Sequence, residues 1–372
     1  MNVEKICINC MQEKPHNSVY CPHCGFCITE YKVNSHHLPP LTLLDDRYLL
    51  GRVIGEGGFG ITYVALDFVT GEKVAIKELF VADILVRRNT RTVLPDGDVR
   101  KKNFYYECKM KFLQEADLLN KMRDKKGVVD IYRFFEANNT AYIVMEFLEG
   151  IDLLTYVKAQ GGKISLEEAF RLLAPVMKSL MEIHRLGVYH RDISPDNIRC
   201  LKDGSIKIMD FGGAKYNYNE ISSKYITLKQ GYAPPEQYSC GYKIGPWIDV
   251  YEIGATFYRC ITGKVPVAAM ERTMGTELER PGALGVQITA EQEAVLMKAL
   301  ALQTEERFGD MKEFYDALKK SLCEEETDMD AEYQRLLEIL NQEKPVGFWK
   351  YLTVWSCLVL LVVCVIVCFF WL

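Results

Sequence analysis

Two sets of residues in this 372-residue chain have the types and spacing to do chemistry. The first is a pair of CxxC turns, Cys7-Ile8-Asn9-Cys10 and Cys21-Pro22-His23-Cys24. Each turn aims two thiolates at one point, and two such turns facing each other complete a tetrahedral four-sulfur site for zinc. The ten residues between the pairs are enough for a hairpin, though slightly short of the usual ribbon spacing. Gly25 fits a knuckle whose backbone N–H groups point back at sulfur, whereas Met11 stands at the equivalent place after the first pair. A segment of this length cannot cohere by apolar burial alone, so structural Zn²⁺ on Cys7, Cys10, Cys21 and Cys24 is the expectation. A redox pair, two disulfides or bound iron are the competing readings. His16, His23 and Cys27 are spare donors nearby, read as bystanders.

The second set is spread over nearly two hundred residues. It begins with Ile54-Gly55-Glu56-Gly57-Gly58-Phe59-Gly60, where Gly57, Gly58 and Gly60 leave the backbone free to approach phosphate. Val74-Ala75-Ile76-Lys77 follows, and about forty residues later Glu115 lies in Phe112–Leu119, which has the apolar spacing of a helix. Then come His190-Arg191-Asp192-Ile193-Ser194-Pro195-Asp196-Asn197, Asp210-Phe211-Gly212 and Ala233-Pro234-Pro235-Glu236. Cationic amine, carboxylates and amide in this company suit a polyphosphate and a hard divalent cation.

The elements that must position these groups follow from the pattern. A G-x-G-x-x-G in a dinucleotide fold stands between a strand and a helix. Here a strand pattern, Ile61–Leu66, follows it, then a turn at Thr70-Gly71 and a second strand, so the glycine loop sits inside a hairpin. Apolar residues make up 49% of the chain, enough for a packed core. Lys and Arg number 45 against 50 Asp and Glu; a net charge of -5 argues against general nucleic-acid binding. No secretory signal precedes the cysteines, which favours a reducing compartment for most of the chain.

The segments read as a zinc-ribbon-like module over 1–30, a linker over 31–46, a globular domain over 47–320 and an acidic amphipathic stretch over 321–350. Residues 351–372 then carry no formal charge, and about 20 apolar residues span a bilayer's hydrocarbon core. Trp349, Trp355 and Trp371 fall near the two interfaces, and Lys344 with Lys350 predicts a cytoplasmic N-terminal side. The expectation is a single-pass, tail-anchored cell-membrane protein. Either that span or a helix over 331–341 could pair two copies into a homodimer.

Five motifs in this order resemble the eukaryotic-type protein kinases, and most of all their bacterial serine/threonine branch, over about three quarters of the chain. The resemblance implies an α+β, bilobal fold with a strand-rich N-lobe and a helical C-lobe. It implies ATP with Mg²⁺ (or Mn²⁺), protein substrates and transfer of the γ-phosphate to a hydroxyl. By the same resemblance, Gly55–Gly60 covers the phosphates, Ile54, Thr62 and Ala75 line the nucleotide, and Lys77, oriented by Glu115, holds the α/β-phosphates. Asp192 takes the hydroxyl proton, and Asn197 and Asp210 bind the magnesium. Met145 is the gatekeeper, Glu146–Leu148 the adenine-binding hinge, and Asp249 a brace for the catalytic loop. Glu236 is expected to pair with Arg307. His184 is read as a packed or surface residue, and His190 as a core residue near Phe211 instead of an acid or base.

Departures from the pattern sharpen the expectations. Thr62 replaces a Val over the adenine, and Ser194 replaces the Lys that steadies the γ-phosphate. Residues 78–103, with Arg87, Arg88, Arg91, Arg100, Lys101 and Lys102, read as a solvated insertion, with a lipid-facing basic surface as the alternative. By the same resemblance, Arg191 beside Asp192 implies regulation by autophosphorylation between Gly212 and Ala233, with Thr227 and Ser223 the foremost acceptors. The runner-up function is a nucleotide-binding pseudokinase scaffold that uses the ribbon as its interaction surface; a small-molecule or lipid kinase is the third.

Overall fold

Runs of Val, Ile, Tyr and Thr between Leu43 and Glu146 suit a pleated, largely buried surface, and they build a six-stranded antiparallel sheet. The computed structural model describes residues 3–87, 91–121, 123, 125–210, 228–238 and 243–322. The sheet runs in the order β1 (Leu43–Leu44), β2 (Tyr48–Gly57), β3 (Gly60–Asp67), β4 (Lys73–Leu79), β8 (Thr140–Glu146), β7 (Ile131–Ala137). Strands β3 and β8 are buried along nearly their whole length, which is why they read as continuous apolar runs. A short hairpin, β5 (Leu85–Val86) with β6 (Leu94–Pro95), leads into helix α1 (Val99–Asn120). Asp98 caps that helix by accepting from the Lys101 N–H, and Phe104, Tyr105, Cys108, Phe112, Ala116 and Leu119 are its buried residues.

The remainder is mainly helical. Strands β9 (Gly150–Asp152), β10 (Ile198–Leu201) and β11 (Ile206–Ile208) form a small antiparallel sheet in the order β11-β10-β9. Helix α2 (Leu153–Ala159) follows β9, and α3 (Leu166–Arg185) begins at an N-cap, Ser165, which accepts from the Glu168 N–H. Helix α4 (Trp247–Thr262) is buried over thirteen of its sixteen residues and stops at Gly263, whose φ of 76° lies in the left-handed region. Helices α5 (Ala269–Thr273) and α6 (Ala290–Ala299) and helical residues 311–318 pack around it; Phe314 meets Phe257 of α4 edge-on at 6.0 Å. The bilobal α+β expectation is met.

The chain divides into two compact units, 1–318 and 319–372. The cysteine-rich segment and the residues expected to be a linker both fall in the first. Phe211, Gly212, Ser222, Ser223, Tyr225, Thr227 and the apolar stretch 351–372 lie outside the described residues. Among the described residues no helix is long and apolar enough to cross a membrane.

The basic insertion corrects one expectation. Arg87 is buried: it ion-pairs with Glu78, which is wholly buried, and it donates to the His36 carbonyl. Glu78 also accepts from Tyr63 at 3.0 Å and Tyr142 at 2.6 Å. A charge pattern legible only as a solvated face therefore supplies one cation to the core, because a buried carboxylate on β4 needs it.

Candidate functional site

The loop carrying Asp192 is held from below by two acids of α4. Asp249 accepts from the backbone N–H groups of His190 (2.9 Å) and Arg191 (2.8 Å) and from His184 Nε2 (2.7 Å). Burial alone would push its carboxyl up, but these hydrogen bonds and the two histidines hold it below the ordinary aspartate value. One turn later Glu252 accepts from the Ile193 N–H at 2.7 Å and from Gln237 at 3.1 Å. Asp249 is thus the brace expected, whereas His184 is more than a packed histidine: it is that brace's third donor. His190 is buried, and burial holds its imidazole below the ordinary value; Nε2 faces the Met209 carbonyl at 2.9 Å. A neutral, walled-in ring is no acid or base for substrate.

So braced, the loop presents Asp192 and Asn197 together, with Asn197 Nδ2 donating to Asp192 Oδ2 at 3.0 Å and to the Asp192 carbonyl at 2.7 Å. Arg191 (φ 59°) and Asp210 (φ 62°) both occupy the left-handed region that non-glycine residues avoid, a strain characteristic of functional positions. Lys77 Nζ lies 3.2 Å from Asp210 Oδ1. The expected Lys77–Glu115 pair is not formed among the described residues; Glu115 Oε1 stands 4.0 Å from Arg191 Nη2 instead. Each charge has an opposite partner in this arrangement, the carboxylate on the guanidinium and the ammonium on Asp210.

Above these groups, β2 and β3 carry the glycine loop. Gly60 is required by space, since a Cβ there would meet the Glu78 carbonyl at 2.9 Å and Lys77 Cε at 3.3 Å. A Cβ at Gly57 would meet nothing within 4 Å, so that glycine leaves open room beside the loop, as a phosphate cradle needs. Ala75 and Met145 are register partners on β4 and β8 and share an apolar cluster with Val129 and Leu148, bordered by Leu201 and Met209. Such a wall suits a flat heteroaromatic ring. Glu146 turns away to Lys207, 2.5 Å distant. Ile54, Phe59 and Thr62 belong to the same hairpin, with Thr62 opposite Gly55. The oxygen donors of Asn197 and Asp210 fit Mg²⁺, whose positive charge would offset the negative charge of a bound triphosphate.

The cysteines form a second centre. The four sulfurs of Cys7, Cys10, Cys21 and Cys24 lie within 4.8 Å of one another, with Cys7–Cys24 and Cys10–Cys21 both at 3.7 Å. A tetrahedron with zinc–sulfur bonds of about 2.3 Å has edges of about 3.8 Å, so the donor set fits zinc closely. Met11 takes φ 61° beside Gly25 at φ 69°, giving both knuckles the same left-handed turn although only one has glycine. As free thiols, burial pushes Cys10 up to about 12, while Cys24, despite burial, is held at about 7 by hydrogen bonds led by Asn9. His16, His23 and Cys27 make other contacts: Glu4, the Glu13 carbonyl and Thr29.

This centre is joined to the glycine-loop strand. Ile6 and Met11 pack on Leu49, Val64 and Leu66, and a Cβ at Gly51 would strike the Ile8 carbonyl at 2.4 Å. Asn9 donates to Cys24 Sγ at 3.5 Å and accepts from Arg52 Nε at 2.6 Å. Further along, His36 and His37 Nε2 lie 2.6 and 2.9 Å from the two Glu56 carboxylate oxygens. The supposed linker is therefore clasped onto the loop. An adjacent histidine pair in a proline-bearing stretch was the only sequence signal for it.

The sequence pattern of the protein kinase domain matches residues 48–328. The chain belongs to the protein kinase family. A probable serine/threonine-protein kinase of Clostridium acetobutylicum is 27% identical over 316 residues, covering 82% of this chain and 44% of that protein. Serine/threonine-protein kinase PknB of Mycolicibacterium smegmatis is 29% identical over 279 residues, 71% of this chain and 41% of the relative. The chain thus spans less than half the length of these curated relatives. Among solved structures, the apo form of PpkA-294 superimposes with a TM-score of 0.65 at 31% identity, covering 76% of this chain and all of that one. The PknI kinase domain of Mycobacterium tuberculosis, at 20% identity and a TM-score of 0.57, shares the kinase fold.

Proposed function

We propose that this kinase-family chain transfers the γ-phosphate of Mg·ATP to serine or threonine hydroxyls of proteins. The observation that carries this reading is the braced pair of Asp192 and Asn197, tied to the segment of Asp210 and its partner Lys77 by the Met209 N–H, which donates to the Asn197 carbonyl at 2.9 Å. Asp192 accepts the hydroxyl proton, Lys77 meets the phosphates, and the glycine loop excludes water above them. Every residue needed for Mg·ATP is present (Lys77, Glu115, Asp192, Asn197 and Asp210), which favours an enzyme over a scaffold that merely holds nucleotide. The test is incubation of the purified chain with radiolabelled ATP and panels of protein and lipid acceptors. Label recovered as phosphoserine or phosphothreonine is expected. Bound nucleotide without transfer to any acceptor would establish the scaffold reading instead.

The ribbon holds structural zinc in this proposal, and by its contacts to β2 it steadies the strand that leads into the glycine loop. Purified chain is expected to retain about one zinc per molecule through dialysis, set by one four-sulfur site. Cys21→Ser leaves less than about a tenth of that and opens residues 3–30 to limited proteolysis, since the metal is the segment's main source of cohesion. Elemental analysis and protease mapping read both; a Cys21→Ser protein that is metal-free yet equally resistant defeats the structural role. Residues 351–372 insert in the cell membrane as a single span with the catalytic domain on the cytoplasmic side, and autophosphorylation at Thr227 or Ser223 supplies regulation.

A further inference from the structure

We infer that Lys229 is the catalytic cation of this site, an inference that rests on the phosphotransfer reading above. The segment Asp192-Ile193-Ser194-Pro195-Asp196-Asn197 carries two carboxylates and no cation of its own. Lys77, the cation on the opposite wall, is already drawn to Asp210. Phosphoryl transfer loads negative charge onto the equatorial oxygens of the migrating group, and catalysis there is chiefly neutralisation of that charge. The loop therefore has a deficit where the transition state is most demanding.

Lys229 fills it from another part of the chain. Its Nζ donates to Ser194 Oγ at 2.7 Å and lies 3.7 Å from Asp196 Oδ2. Ser194 is fully buried, so its hydroxyl fixes the ammonium against the loop two residues past Asp192. The backbone under the lysine is fixed too. Its carbonyl accepts from the N–H groups of Tyr232 and Ala233, both at 3.1 Å. A lysine placed only to pair with Asp196 on the rim, whose side chain is 54% exposed, would not need the shorter bond to a buried hydroxyl.

The step balances as follows. The acceptor's hydroxyl oxygen bonds to the γ-phosphorus while the bond from that phosphorus to the β–γ bridging oxygen breaks. ADP leaves with the bonding pair, and the hydroxyl proton passes to the Asp192 carboxylate. Lys229 faces the equatorial oxygens throughout, with Ser194 as its positioning residue.

Full-length Lys229→Ala and the double variant Lys229→Ala/Ser194→Lys test this against wild type, in steady-state phosphorylation of a serine peptide and in binding of a fluorescent ATP analogue. Loss of one preorganised charge-stabilising group predicts a kcat lower by about a hundredfold in Lys229→Ala, with analogue affinity held within about twofold. Returning an ammonium to the loop in the double variant recovers kcat to within about tenfold of wild type. A Lys229→Ala enzyme with wild-type kcat overturns the assignment, as does a double variant no faster than Lys229→Ala, or a Lys229→Ala protein that loses nucleotide affinity with turnover. Wild-type protein that transfers no phosphate overturns the kinase reading itself.

Discussion

Asp192→Asn is expected to lower kcat by about a thousandfold or more while KM for ATP changes by no more than about twofold. The substitution is isosteric, so the support from Asp249 and Glu252 beneath the loop is untouched: their bonds go to backbone N–H groups of His190, Arg191 and Ile193. What changes is the chemistry at one atom. An amide cannot take the hydroxyl proton, and general-base catalysis contributes about 10²–10⁴-fold. The variant side chain must also present its oxygen to Asn197 Nδ2, now 3.0 Å from Oδ2, which turns its own NH₂ toward the acceptor. A donor placed where a base is required opposes the attacking hydroxyl's alignment and adds to the loss. A thousandfold change corresponds to about 4 kcal/mol of transition-state stabilisation. Saturating peptide kinetics read the effect. A kcat within tenfold of wild type would remove Asp192 from the chemistry and make its contact with Asn197 merely structural.

The frame of the candidate site was legible because its groups carry their neighbours with them. Lys77 sits in a strand pattern, the glycine loop lies in a hairpin, and Asp192 and Asn197 are five residues apart on one loop. Short-range spacing of that kind survives translation into structure. The partners that sequence reasoning missed are those set by tertiary packing. His184 meets Asp249 across 65 residues, and His36 and His37 reach Glu56 from a stretch read as linker. Arg87 is only nine residues from Glu78, but it is drawn into the core because Glu78 is buried there beside Tyr142. Glu115 shows the converse, since the family resemblance implied Lys77 as its partner, and only the fold brings Arg191 within reach. For Lys229 a clue did exist: once Ser194 is seen to have displaced a cation, a lysine ahead of Ala233 is the place to look for its substitute. The clustering of Cys7, Cys10, Cys21 and Cys24 was legible in the spacing, but their segment's packing on β2 was not, because nothing in a CxxC spacing says which surface it will cover.

Glu236→Gln is expected to cost about 3–5 kcal/mol of stability, the price of leaving a buried guanidinium without its counter-charge. The pair is deeply placed: the Arg307 side chain is 0% exposed and that of Glu236 3%. Arg307 Nη1 donates to Glu236 Oε1 at 2.7 Å and Nη2 to Oε2 at 3.3 Å. The remaining donors are occupied as well, by the carbonyls of Trp247 (2.9 Å), Ala301 (3.0 Å) and Leu302 (3.3 Å). With the guanidinium so fully bonded, it cannot swing out to water when its partner is neutralised. Gln offers one acceptor and turns an NH₂ against Nη2, which adds an unsatisfied donor to an uncompensated charge. For a domain of this size each kcal/mol shifts the melting temperature by about 2–4 °C, so a drop of roughly 10 °C is expected in calorimetry. Arg307→Met alone leaves a buried carboxylate and should be similarly costly. The double variant Glu236→Gln/Arg307→Met should cost less than the two singles together, because neither then leaves an unpaired charge. Strict additivity would mean that the two side chains stabilise the domain independently. The effect should reach activity too: Gln237, the next residue, donates to the Arg191 carbonyl at 3.0 Å and to Glu252, so loosening Glu236 loosens the floor on which Asp192 stands.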